Sequence, residues 1–174
     1  PLVLLATPPV VVAGPHLTSL ARRAEQDRDP ATDAALRFDL GRAIELSRTH
    51  RVLAVGTSPD VFAKIIGGVI AAFGPMRPTE DSVSALVSRF QTALPEGRRR
   101  RLETYLNKHD PKLFEPEAYR IACERAADRA GLVASNSIES AISIAGGAET
   151  ALHLVRLAAT PEFRALQRRL RGVV

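Results

Sequence analysis

From Gly14-Pro15 onward the chain is punctuated by helix-start signals at helix-length intervals, and this limits its fold more than composition does. Ser58-Pro59-Asp60 sets a capping hydroxyl ahead of a proline in the first turn, where the missing N–H is not needed. Thr32 before "DAALRFDL", Thr79 in "TEDSVSAL" and Thr160 in "TPEFRAL" repeat that chemistry. Gly74-Pro75 and Gly146-Gly147 act as stops. Helical spacing of apolar residues between these marks predicts helices near 17–26, 32–50, 58–73, 79–94, 98–108, 116–134, 137–145, 148–159 and 161–171. Before Gly14, "LVLLA" and "VVVAG" flank Thr7-Pro8-Pro9 and read as two short strands. The expected class is mainly α (α+β), a small N-terminal β element followed by a compact bundle of about nine short helices. Unequal helix lengths disfavour a repeat array. No linker divides the chain, so residues 1–174 are expected as a single domain. The opening lacks an initiator Met and starts in a strand-like run, which points to a segment of a larger protein.

Composition narrows the function classes. At 45% hydrophobic and 25% charged residues, disorder is not the default. The apolar run Ile65 to Phe73 is well short of the ~20 residues a membrane span needs. "PLVLLATPP" has no basic start and breaks at proline, unlike a signal peptide. The single cysteine, Cys123, excludes an internal disulfide and reads as a small buried thiol; a reducing, cytoplasmic location is expected. The net charge of +5 comes almost wholly from arginine, the lysines being Lys64, Lys108 and Lys112. Arginine favours planar pairing with carboxylates. Gly67-Gly68 weakens its helix but permits close helix packing.

Within helix 32–50, Arg37, Glu45 and Arg48 share one narrow sector at about 100° per residue, and aliphatic residues fill most of the rest. Arg42 lies outside that sector, beside Ala35 and Leu46, and needs a carboxylate if buried. The stretch "ERAADRAGL" places Glu124 and Asp128 one helical turn apart among Ala and Arg. Two acids so spaced repel each other unless a cation faces them.

"ERAADRAGLVAS" resembles the third-ligand segment of the CAAX prenyl protease and heat-shock membrane protease family of gluzincins. "VVVAGPHLTSL" resembles the strand and turn before that family's active-site helix, and "ATDAALRFDLGRAIELSRTH" the helix itself. The similar stretches cover roughly residues 1–50 and 116–147; residues 51–115 and the last 25 match no motif of the family. The resemblance implies a gluzincin-peptidase-like core in which Glu124 stands at the glutamate zinc ligand and Asp128 at the acid that steadies the first histidine. It places Arg42 at the first histidine ligand, Ala43 at the general base and Leu46 at the second histidine ligand, with His50 at a later, non-ligating histidine. A catalytic gluzincin needs two neutral imidazoles, a carboxylate and a general base, so this site is vestigial, with no metal and no cofactor expected. The guanidinium of Arg42 is expected to replace the metal as a structural cation between Glu124 and Asp128.

The expected function is therefore non-catalytic: binding, scaffolding or regulation, with a protein or a neighbouring domain as partner. One alternative is a zinc peptidase with a non-standard ligand set, His16, His50 and Glu124. Another is a nucleic-acid or anion binder through Arg98, Arg99, Arg100 and Arg101, which could form one basic surface with "RRLR" at 168–171. With no Trp and two Tyr, stacking on single strands has little support. An exposed Arg120–Glu124 pair is the plain rival to the bridge.

Overall fold

A computed structural model describes residues 2–4, 6–75, 81–110, 114–145, 147–170 and 172. The protein is mainly α, about 77% helical, with a small two-stranded antiparallel sheet at the start. Strand β1 (Leu2–Leu4) pairs with β2 (Val10–Val12) in the register Leu2↔Val12, Val3↔Val11, Leu4↔Val10. Ten helices follow among the described residues: α1 (Pro15–Asp27), α2 (Pro30–Leu46), α3 (Val52–Val55), α4 (Pro59–Phe73), α5 (Asp81–Ala93), α6 (Glu96–Lys108), α7 (Pro116–Ser135), α8 (Ile138–Ile144), α9 (Ala148–Ala158) and α10 (Pro161–Leu170).

The start signals act as their chemistry requires, with one relocation. Ser58 accepts a hydrogen bond from the Val61 N–H, and Pro59 opens α4. Helix α2 starts two residues before the expected Thr32. The cap is Asp29, whose carboxylate accepts from the N–H groups of Ala31 (3.2 Å) and Thr32 (3.1 Å), with Pro30 at the first helical position. The Thr32 hydroxyl donates to the same carboxylate at 2.7 Å. This hydroxyl bond first, then the two N–H bonds, holds the Asp29 pKa below its ordinary value. Thr79 lies outside the described residues. The expected helix 32–50 stops at Leu46, because Ser47 closes it: its N–H bonds the Ala43 carbonyl and its hydroxyl donates to the Ile44 carbonyl. The chain then turns at residues 48–51 into α3, a short helix that the periodicity does not separate from α2.

The stretch expected as one domain consists of two compact units, Pro1–Gly56 with Ala122–Val174, and Thr57–Ile121. The first unit has its core in Phe38, Leu132, Ala141, Leu154 and Phe163, drawn from α2, α7, α8, α9 and α10. Full burial of Phe38, Leu132 and Leu154 stabilises by roughly 1.5–3 kcal/mol each. Val3 is buried in β1, which packs against α2 and α3. In the second unit α4 lies against α5 and α6. A Cβ at Gly68 would stand 3.0 Å from the Phe90 ring and 3.3 Å from Leu86 Cβ, so this glycine sets the α4–α5 approach, while Gly67 faces open space.

Candidate functional site

The crossing of α2 and α7 in the first unit is made by two glycines. A Cβ on Gly41 would lie 2.7 Å from Ala134 Cβ and 2.8 Å from the Ala130 carbonyl oxygen. One on Gly131 would lie 2.8 Å from the Phe38 carbonyl oxygen and 2.8 Å from its ring. Such distances need backbone against backbone, which only glycine allows. Arg42 follows Gly41, and Asp128 stands three residues before Gly131, so the same crossing brings their side chains together.

Arg42 Nη1 is 2.9 Å from Asp128 Oδ1, and the two side chains are 28% and 6% exposed. The separation is that of an ion pair. The N–H is not aligned for a hydrogen bond, which leaves Oδ1 buried without a hydrogen-bond partner. The Arg42 guanidinium also lies over the Phe38 ring, 5.9 Å from its centroid, one helical turn back on α2. Burial raises the Asp128 pKa above its ordinary value; Arg42 pulls it down, Glu124 pushes it up and His153 pulls it down. Desolvation leads, so the one nearby guanidinium does not fully offset the burial of this carboxylate.

The other expected residues are placed differently. Glu124 is exposed and forms no ion pair with Arg42 among the described residues, so the cation spans from α2 to one acid and not to both. Glu124 shares a helix face with Asp128 but lies one turn farther along α7 from the close approach at Gly131. Leu46 is half-buried and His50 exposed, with His50 Nε2 accepting from Arg51 Nε at 3.1 Å. His16 is exposed and reaches Asp39 Oδ2 at 3.6 Å. Among the described residues no three His, Cys, Asp or Glu side chains are grouped to hold a metal ion, and His16, His50 and Glu124 are not brought together as ligands. Arg120, of the rival Arg120–Glu124 pair, lies 3.8 Å from Glu117 and donates to the Thr57 carbonyl at 3.0 Å. Cys123 is buried, as expected.

No family model matches this chain. No curated protein and no solved structure matches it either.

The arginine run occupies the first turns of α6, where four successive residues spread over about 300° of the helix. Arg100 pairs with Glu96, Arg99 is half-buried, and Arg98 and Arg101 are exposed on the same side. A single four-arginine patch is thus not formed. Arg168 and Arg169 close α10 in the first unit, and Arg171 lies outside the described residues.

Two features escaped the sequence reading. His153, on α9, acts on the charge of Asp128, and its Nε2 is buried without a hydrogen-bond partner. It stands 25 positions from Asp128 in a helix with no motif, so no spacing signals it. Glu45 holds both Arg48, at 2.8 Å, and Arg51, fastening the end of α2 to the start of α3. The Glu45–Arg48 spacing was readable; the return of the chain at Arg51 was not.

Among the described residues no helix is long and apolar enough to cross a membrane.

Proposed function

We propose that the first unit is a non-catalytic, peptidase-like domain that acts by binding, as a scaffold or regulator within a larger protein. The observation that carries this reading is the Arg42–Asp128 ion pair at the α2–α7 crossing. In the resemblance to the gluzincins, that is where an imidazole and its zinc would stand. A guanidinium there supplies the positive charge Asp128 needs and supplies no water activation. Ala43 and Leu46 offer neither a base nor a ligand. The stretches that carry the resemblance fall mostly in the first unit, and the stretch without it, 51–115, falls mostly in the second. This supports a peptidase-like frame with an inserted helical unit. The buried thiol of Cys123 suits a reducing, cytoplasmic setting.

Restoring the metal tests the reading. The full chain carrying Arg42→His, Ala43→Glu and Leu46→His is expected to take up zinc stoichiometrically by elemental analysis and to melt higher with zinc than without. The parent chain is expected to hold well under one equivalent. Chelator-resistant, stoichiometric zinc in the parent would contradict the non-catalytic reading; a restored motif that holds no zinc would contradict the kinship.

A further inference from the structure

The second unit carries an apolar cleft of about 510 Å³ between α4 and α6. That size falls within the roughly 300–1,000 Å³ usual for binding sites. Its floor is Ile66, Val69 and Ile70 from α4 and Leu102 and Leu106 from α6. From Val61 to Phe73 the only charged residue of α4 is Lys64. A helix apolar on nearly every side belongs in a core. Phe62, Gly68 and Phe73 are covered, whereas Ile66, Val69 and Ile70 remain half-exposed at the cleft. At the rim stand Tyr105, 61% exposed, and His109, their rings 4.4 Å apart between centroids.

Along the face of α6 beside the cleft the exposed charge is positive, and past the helix end Asp110 joins Lys108 and His109 in the lining. Arg98, Arg101, Tyr105 and Lys108 follow one another at steps of three and four residues, all exposed, in a sector about 80° wide next to Leu102 and Leu106. The acids of this helix, Glu96 and Glu103, fall on the opposite flank, where Arg100 pairs with Glu96. We propose that the cleft between α4 and α6 docks an amphipathic helix with an acidic flank, its apolar side chains on Ile66, Val69, Ile70, Leu102 and Leu106 and its carboxylates along Arg98, Arg101 and Lys108. A groove between two helices takes anchors at helical spacing, and a basic stripe beside it selects acids. A second copy of this chain carries +5 and is disfavoured by its own charge. A nucleic acid would use the stripe and leave the apolar floor without a role. The inference deepens the binding reading and rests on it, but on residues of the second unit alone.

The test uses the full chain and a labelled synthetic peptide of about 18 residues, with Leu at helical anchor spacing and Glu on the flanks, read by fluorescence anisotropy. Saturable binding is expected, with Tyr105→Glu and Arg101→Glu each weakening it roughly tenfold. Arg100→Ala, on the other flank, is expected to leave it unchanged. All three positions are exposed, and unaltered far-UV circular dichroism checks the fold. Four outcomes would overturn the proposal: no saturable binding, equal binding of a peptide with Lys for Glu, equal loss on Arg100→Ala, or an oligonucleotide that binds with no dependence on Tyr105. Such a failure with the zinc results unchanged removes the occupant and leaves the non-catalytic reading in place.

Discussion

Two helix crossings in this molecule use glycine, and they use it to different ends. At α2–α7 the glycines face backbone: Gly41 meets the Ala130 carbonyl and Gly131 the Phe38 carbonyl, each at 2.8 Å from the position a Cβ would take. At α4–α5 Gly68 meets only side chains, the Phe90 ring and Leu86. Beside the first crossing stands the ion pair of Arg42 with the buried Asp128, and at the second Gly68 lies against the apolar side chains of Phe90 and Leu86. Close approach without an alternative therefore goes with charge in one unit, and adjustable approach with an open apolar cleft in the other.

The difference can be broken by substitution, and the largest effect belongs to the ion pair. Arg42→Ala is expected to cost about 3 kcal/mol in urea unfolding, because Asp128 would stay buried with its guanidinium gone. Replacing both partners, Arg42→Met with Asp128→Leu, is expected to return stability to within about 1 kcal/mol of the parent or above it. A double variant as unstable as Arg42→Ala would show that packing, not charge, holds the crossing.

Next come the glycines. Gly131→Ala gains about 1 kcal/mol of helix propensity but drives a methyl into a carbonyl that cannot yield unless the helices part. A net loss of about 2 kcal/mol is expected by denaturant melts. Gly68→Ala meets the edge of a ring that can turn, so the same propensity gain should leave stability within about 1 kcal/mol of the parent. Equal losses at the two sites would erase the distinction between the crossings.

The smallest effects are in pH, and there two aspartates of the first unit have opposite signs. The Asp128 pKa is raised in the fold, so the stability it contributes is present below its ordinary value and lost as pH rises through the folded pKa. The Asp29 pKa is lowered, so its contribution is present above its ordinary value and lost as pH falls through the folded pKa. Melts of Asp128→Asn against the parent, from about pH 3 to about pH 7, are expected to shift in the variant's favour as pH rises. Asp29→Asn is expected to lose ground over the same rise. A variant at 128 that tracks the parent at every pH would contradict the burial of that carboxylate.

Much of the fold was legible because capping is local. Ser58-Pro59 and Thr160-Pro161 open helices by chemistry contained within a few residues, and the Phe163 N–H bonds the Thr160 hydroxyl as the sequence indicates. Asp29-Pro30 carries the same signal just ahead of Thr32, which lies in the first turn and supports the cap instead of forming it. Arg42 was legible as a cation that needs a carboxylate because it lies beside Ala35 and Leu46, whereas Asp128 came forward, together with Glu124, only through the gluzincin resemblance. The exposure of Glu124 was not legible, since it shares a face with Asp128 and differs only in its distance along α7 from the approach that Gly41 and Gly131 set in space. The division at residues 57–121 was hidden for a related reason: its boundary at 121 falls inside the continuous helix α7, with no linker to mark it.

The most direct test of the account is a double-mutant cycle of Arg42→Ala and Asp128→Asn, with unfolding free energies from urea melts at neutral pH. If the guanidinium stands over a buried carboxylate, Arg42→Ala loses most of its cost once position 128 is neutral, and the coupling reaches about 2 kcal/mol. Costs that add to within about 0.5 kcal/mol would contradict it and leave the α2–α7 crossing held by packing alone.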